Sequence, residues 1–413
     1  MSAPIVIVGA GLSGLACARA LTARGVETVV LEADDAVGGR VRTQRQDGFL
    51  IDRGFQVLLT AYPEAQAVFD YDALRLGAFA PGAWVRVGGQ FQTIGDPFRR
   101  PSQAIPTLLA DVGSLADKLK VLRLRQSVRA GTVDDLWRRP EMTTEAALRE
   151  RYGFSDRMIE RFFRPFLGGV LLDASLGASS RAFEMYFRRF SEGDAALPAE
   201  GIQALPEQLA AALPDGTVRL GARVSGVTRG EVRVEGGDAI PARAVVVAAD
   251  ATGAGALLGQ ETPAWKGTVQ IAWAADAAPV DAPVLLLDGE AGGPLNNVQV
   301  VSAVQPTYAP AGQALVTGSV LGTPSLGDDA LDAAARTQLR GWFGDAVDGW
   351  RTLRVDRVPN ALPDLPSLDP PERPPWVREG IYVTGDWRRN GSINGALTAG
   401  RHAAEAILAD LGV

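Results

Sequence analysis

The segment Ile5-Val6-Ile7-Val8-Gly9-Ala10-Gly11-Leu12-Ser13-Gly14 continues to Val29-Val30-Leu31-Glu32 and then to Val37-Gly38-Gly39-Arg40-Val41-Arg42-Thr43. It reads as a buried β-strand, a three-glycine turn, a helix from Leu12 to about Arg24, a second strand ending in an acid, and a diglycine-arginine turn. Each residue type has a physical reason. Gly9 allows the tight turn out of the strand, Gly11 lets the backbone approach a pyrophosphate, and Gly14 lets helix and sheet pack closely. The helix N-terminus offers free N–H groups and the positive end of its dipole to an anion, so no basic side chain is required. Glu32 stands where a carboxylate accepts hydrogen bonds from both ribose hydroxyls, and an acid there disfavours a 2′-phosphate.

The layout fits the ADP half of a dinucleotide, and Gly38-Gly39-Arg40 selects FAD over NAD. A second close-approach turn with a guanidinium suits the far side of a long pyrophosphate. Near the other end of the chain, Gly380-Ile381-Tyr382-Val383-Thr384-Gly385-Asp386 is a strand running into a turn, and Gly391-Ser392-Ile393-Asn394-Gly395-Ala396-Leu397 opens a final helix. Gly395 and Ala396 permit close backbone approach there, giving a second N–H-rich end that can stabilise negative charge on a reduced flavin ring.

With 413 residues, 46% of them hydrophobic, the chain can bury a large core and is expected to form two domains. A net charge of -7 argues against a nucleic-acid partner. Cys17 is the only cysteine and His402 the only histidine, which removes internal disulfides, Cys-x-x-Cys redox pairs and zinc clusters and disfavours Ser-His or Cys-His catalysis. No metal is expected, and the chemistry falls to a cofactor. Cys17 reads as a small apolar packing residue and His402 as a surface or helix-terminal one. No basic-then-apolar leader precedes the first strand and no apolar run spans a bilayer, so a cytoplasmic protein is expected.

Nucleotide-binding signals recur in three separated places. The expected fold is α/β: a discontinuous Rossmann-like FAD-binding domain (1–82, 196–264 and 352–413) with a second, α+β substrate domain (83–195 and 265–351). Residues 83–94 alternate around Gly88-Gly89 as a hairpin. From Pro97 to about Phe190 the pattern is helical, with Ile105, Leu108, Leu109, Val112, Leu115, Leu119 and Leu122 forming a stripe. The stripe is expected to pack on its own domain; a lipid-surface or substrate-entry role, and with it peripheral membrane contact, is the alternative. Phe162, Phe163 and Phe166 are either core or cavity lining. A helix ending near Leu213, short strands near Val218 and Val224, and a buried parallel strand at Ala244–Ala249 return the chain to the first domain. Pro359 to Pro375, with seven prolines, reads as a rigid connector.

These residues resemble the flavin-containing amine oxidase superfamily, in particular its phytoene desaturase and protoporphyrinogen oxidase branch. The resemblance is strong at both ends and weak between Pro97 and Ser191 and from Ala272 to Arg351. It implies an ADP-binding segment at Gly9, Gly11, Leu12, Ser13, Gly14, Glu32, Ala33, Gly38, Gly39 and Arg40. It also implies a loop Gly54, Phe55, Gln56 and Val57 beside the isoalloxazine, Val224 against the adenine, and Ala249 at the nucleotide. Gly385 and Asp386 would lie by the pyrophosphate and ribityl chain, and Ser392, Ile393, Asn394 and Ala396 at the flavin ring. The chain also departs from the family. The lysine that amine oxidases place near flavin N5 is not matched, because Lys266 is offset from that position, and Ser392 stands where they carry an aromatic cage residue. No cysteine occupies a tethering position, so noncovalent FAD is implied. A second Gly-x-Gly-x-x-Gly is absent, since Gly253, Gly255 and Gly259 miss the spacing, leaving oxygen, a quinone or another carrier as electron acceptor.

The expected activity is that of an FAD-dependent oxidoreductase, a desaturase or dehydrogenase moving hydride from an apolar, isoprenoid or carotenoid-like small molecule to flavin N5. Protoporphyrinogen-type oxidation, with Arg164 or Arg188 meeting propionates, a non-redox flavin-dependent isomerase and a protein that merely retains FAD are the alternatives. No catalytic base is identified; Tyr62, Arg53 and Tyr186 are candidates only.

Overall fold

Ile5–Val8 lies inside a six-stranded sheet, with Thr28–Leu31 on one side and Ala244–Val247 on the other, all parallel. Both faces of such a strand are covered, so every residue of Ile5-Val6-Ile7-Val8 is apolar and buried. Val218–Arg219 extends the sheet beyond Thr28–Leu31, and Ile381–Val383 and then Trp376–Arg378 extend it beyond Ala244–Val247. The computed structural model describes residues 3–368 and 374–412. On one face, Ile5, Ile7, Val30 and Val246 pack on Leu15 and Leu21 of the first helix, Leu12–Thr22, and on Leu397 and Ile407 of the last, Ile393–Leu411. Each such side chain contributes about 1.5–3 kcal/mol by burial. On the other face, Val6, Val8, Val245 and Val247 pack on a three-stranded meander (Val224–Thr228, Glu231–Val234, Ala239–Pro241) and the helix Ala251–Leu258. The α/β class and the Rossmann-like core are as expected.

A seven-stranded mixed sheet forms the second layer system. Its order is Arg351–Pro363, Trp265–Ala275, Ala314–Leu321, Asn297–Val300, Leu285–Asp288, Gly82–Val87 and Gln90–Gly95. Helix Asp328–Phe343 covers one face through Leu331, Ala335 and Leu339. Helices between residues 101 and 192 pack around Phe163 and Phe183 at the hairpin end.

Three expectations change. Pro359 and Pro363 belong to the strand Arg351–Pro363, not to a connector. That strand is at the sheet edge, and Pro359 falls in the register shift between the Lys266–Leu362 and Thr268–Val358 pairs, where a missing N–H is tolerated. Residues 352–363, expected with the nucleotide-binding part, therefore lie in the second sheet; 369–373 of the expected connector fall outside the described residues. The apolar stripe does not pack on its own domain: Ile105, Leu108, Leu109, Leu115, Leu119 and Leu122 are exposed, and only Val112 is buried. His402 is neither superficial nor terminal, sitting half-buried in the last helix between Arg389 and Arg401.

Candidate active site

The strand ends of the first sheet and the inner face of the second enclose one continuous cavity of about 1090 Å³. Of the residues expected to hold the cofactor, all but Gly14 and Asn394 line it. Gly14 has the packing role read from the sequence, since a Cβ there would lie 2.0 Å from the Gly9 carbonyl oxygen. Asn394 turns away: its Oδ1 accepts a hydrogen bond from the Glu64 amide, 3.1 Å, because the helix turn points it at the neighbouring segment Pro63–Val68 rather than into the cavity.

At one end Gly9 takes φ +107°, and the first helix begins at Gly11 with no side-chain cap and no acid in its first turn. The Ser13 and Gly14 amides have no hydrogen-bond partner among the described residues. A Cβ at Gly11 would meet nothing within 4 Å, so the cavity reaches the backbone there. Glu32, 8% exposed, accepts from the Ala10 amide (2.7 Å) and the Asp34 amide (3.0 Å), leaving acceptor capacity towards the cavity. Arg40 Nη2 reaches Asp386 Oδ1 at 2.5 Å, and its guanidinium lies over the Trp265 ring, 5.1 Å from the centroid. Burial works against the Arg40 charge, yet the Asp386 carboxylate beside it holds the guanidinium above its ordinary pKa. The N-terminal glycine turn and the C-terminal Gly385-Asp386 turn are thereby tied together.

Ser392 caps the last helix by accepting from the Gly395 amide at 2.9 Å, and its hydroxyl donates to Asn390 Oδ1 at 2.8 Å. The Ile393 and Asn394 amides are left without a partner among the described residues, a second anion-ready helix start on the same cavity. Gln56 fixes the Gly54–Val57 loop by donating to the Arg40 and Arg53 carbonyls. Behind that loop Asp52 is buried, accepting from Thr43, the Ile202 amide and the Tyr308 hydroxyl; burial pushes its carboxyl up to about 6 against those three hydrogen bonds. Tyr62 and Tyr186 line the cavity, but burial pushes both phenols upward, and Tyr186 donates to the Asn390 carbonyl. Neither is an anionic base near neutral pH. Arg53, a guanidinium, offers only hydrogen-bond donors.

The far half of the cavity is walled by Phe162, Phe166, Val170, Phe187, Phe190, Leu285 and Leu287. Phe162 and Phe166 stack at 5.6 Å with 10° between planes, while Phe163 is core. Its acids are matched by arginines, Asp194 by Arg99 and Asp96 by Arg125. Arg53 is exposed to the cavity and has no ion-pair partner among the described residues. Arg164 and Arg188, expected to meet propionates, do not line the cavity; Glu160 and Glu145 hold the first and Glu192 the second. Lys266 bonds Asp173 (2.9 Å) and Asp364 (3.2 Å), away from the cavity, and Thr268 is the residue of that strand that faces it. Thr268, Asn297 and Ser319, polar residues of three neighbouring strands, went unread in the sequence; the alternation of polar and apolar residues in Asn297-Val298-Gln299-Val300 was the available signal.

The free amides, the open Gly11 and the placed Glu32 fit an extended dinucleotide. The family model of flavin containing amine oxidoreductases matches residues 12–408. The chain belongs to that family, and its cofactor is FAD. It is similar to coproporphyrinogen III oxidase of Propionibacterium freudenreichii subsp. freudenreichii, 33% identical over 175 residues, 40% of this chain and 31% of that protein. Protoporphyrinogen oxidase 2 of Arabidopsis thaliana is 28% identical over 173 residues, 40% of this chain and 32% of that one. The matched stretch thus spans about a third of the length of these curated relatives. The structure of wild-type putrescine oxidase bound to putrescine shares the fold, with a TM-score of 0.74 over 99% of each chain at 16% identity.

Proposed function

We propose that the protein dehydrogenates an apolar, unsaturated small molecule, converting a C–H-bearing single bond next to a double bond into a further double bond. The observation that carries this reading is the aromatic and aliphatic wall of Phe162, Phe166, Phe187, Phe190, Leu285 and Leu287 in the cavity that the two helix starts share. When bound, FAD would supply the two-electron acceptor for the hydride, and the accompanying proton would leave to a base or water. The protein supplies orientation. An uncharged polyene offers few hydrogen-bonding groups, so apolar walls position it and exclude water. Thr268, Asn297 and Ser319 give polar contact on the sheet side, where Asn297 is engaged with Gln299 and Ser319. Asp96 and Asp194, carboxylates that could receive an amine cation, are taken by arginines.

A second reading, porphyrinogen oxidation, is supported by Arg53, whose guanidinium can meet a propionate, and by the names of the curated relatives. In both readings FAD is held noncovalently, and oxygen, a quinone or another carrier re-oxidises it. The test is anaerobic bleaching of the flavin absorbance. Reduction by an isoprenoid polyene and not by a porphyrinogen supports the first reading; the reverse establishes the second; product formed only after chemical reduction of the flavin replaces both with isomerisation.

A further inference from the structure

Helix Leu115–Arg129 buries Leu124 and Val128 against its neighbours but turns Leu115, Leu119 and Leu122, spaced i, i+4, i+7, towards solvent. The preceding helix, Ala104–Leu109, buries no residue and exposes Ile105, Leu108 and Leu109. Lys118 Nζ ties the two by donating to the Leu108 and Ala110 carbonyls, so the exposed side chains form one face. Seven of the ten exposed large apolar side chains among the described residues fall between Phe98 and Leu122. A contiguous patch of that kind marks an interaction surface.

Charge indicates what covers it. Residues 97–129 carry seven Arg or Lys and two Asp, a local excess of five positive charges in a chain whose net charge is -7. Arg100 and Arg123 are exposed within this segment, and Asp117 is buried as the partner of Ser114 and Ser155. A second copy of the same face would bring two basic rims together, whereas an anionic lipid surface complements both the apolar and the basic groups. The patch is also continuous with the cavity. Phe98 and Leu122 line it while being 62% and 37% exposed, and Arg125 lies over the Phe98 ring at 4.6 Å.

We propose that residues 97–129 form an interfacial docking surface for an anionic lipid bilayer, with the cavity mouth inside its footprint. The docking stands on the patch alone; its use as an entry for substrate rests on the apolar-substrate reading above.

The experiment is flotation of the FAD-loaded full chain with vesicles of phosphatidylglycerol in phosphatidylcholine, and with phosphatidylcholine alone. The expected result is co-flotation with the anionic vesicles, weakened by high salt and lowered at least about tenfold by Ile105→Glu with Leu109→Glu and by Leu115→Glu with Leu119→Glu. Leu326→Glu, at an exposed apolar residue elsewhere, should leave it unchanged, and unaltered flavin content shows that each variant is folded. No flotation, flotation indifferent to the paired substitutions, or equal flotation with the neutral vesicles overturns the proposal. So does a concentration-dependent dimer abolished by the same substitutions, which assigns the face to a second copy. Flotation needs no turnover, so protein that floats but oxidises neither candidate substrate overturns the proposed reaction alone.

Discussion

Arg40 and Asp386, 346 positions apart in the chain, meet at 2.5 Å beside the cavity. The pair joins the turn after the second strand to the turn before the last helix, and the two helix starts line one cavity. Asp386→Ala leaves a partly buried guanidinium without its carboxylate. The expected outcome is FAD affinity at least about tenfold weaker, measured as flavin fluorescence on titrating the apoprotein. Affinity within twofold of the parent would remove the pair from the account.

Gly11 and Gly14 separate cofactor binding from folding. Gly11→Ala places its methyl in open space, so the apoprotein should melt normally yet take up FAD poorly. Gly14→Ala drives a methyl to 2.0 Å from the Gly9 carbonyl oxygen and should cost about 2 kcal/mol or more of stability in the apoprotein itself. Differential scanning calorimetry of both apoproteins checks the contrast; equal melting temperatures contradict it.

Asp52 gives a pH signature. Its carboxyl is held near 6 by burial, against about 3.9 in an unfolded chain, so the folded state binds this proton more tightly. Its contribution to stability is fully present below about pH 4 and is lost as the pH rises through 6. The stability of the parent relative to Asp52→Asn should therefore fall by roughly 2 kcal/mol between pH 4 and 7. A difference flat with pH, measured by urea unfolding, is the contrary result.

How much of this was legible in the sequence follows from where the determining contacts lie. The dinucleotide end is local: Gly9, Gly11, Glu32 and Gly38 to Arg40 are set by turn geometry and helix chemistry within 40 residues, and they line one cavity. The edge strand Arg351–Pro363 was hidden because proline reads as a breaker unless the sheet edge is known. Periodicity revealed the apolar stripe but not what covers it. The pairing of Arg164 and Arg188, candidates only under the porphyrinogen alternative, is legible in Glu160 and Glu192, four residues away on the same helical faces. Asn297, Ser319 and Thr268 converge only through strand pairing, which a single sequence does not display.

Tyr62 and Tyr186 sit in the cavity with phenols raised by burial, and so should not act as bases. Tyr62→Phe should leave the pH profile of kcat/KM unshifted and its maximum within about threefold. Loss of an ionisation from the profile would make Tyr62 a proton acceptor after all.

Arg53 separates the two substrate classes. Arg53→Ala should leave the KM for a polyene within about twofold while raising that for a carboxylate-bearing porphyrinogen about tenfold or more. Equal effects on both would mean that Arg53 serves the loop rather than the substrate.

The central claim is that amides at the starts of the first and last helices hold one extended flavin nucleotide. Its most direct measurement is stoichiometric titration of the purified apoprotein with FAD, followed by flavin fluorescence quenching and absorbance. One FAD per chain, retained through gel filtration and released on denaturation, is the expected result. A colourless protein that takes up no FAD under any condition of reconstitution would contradict it.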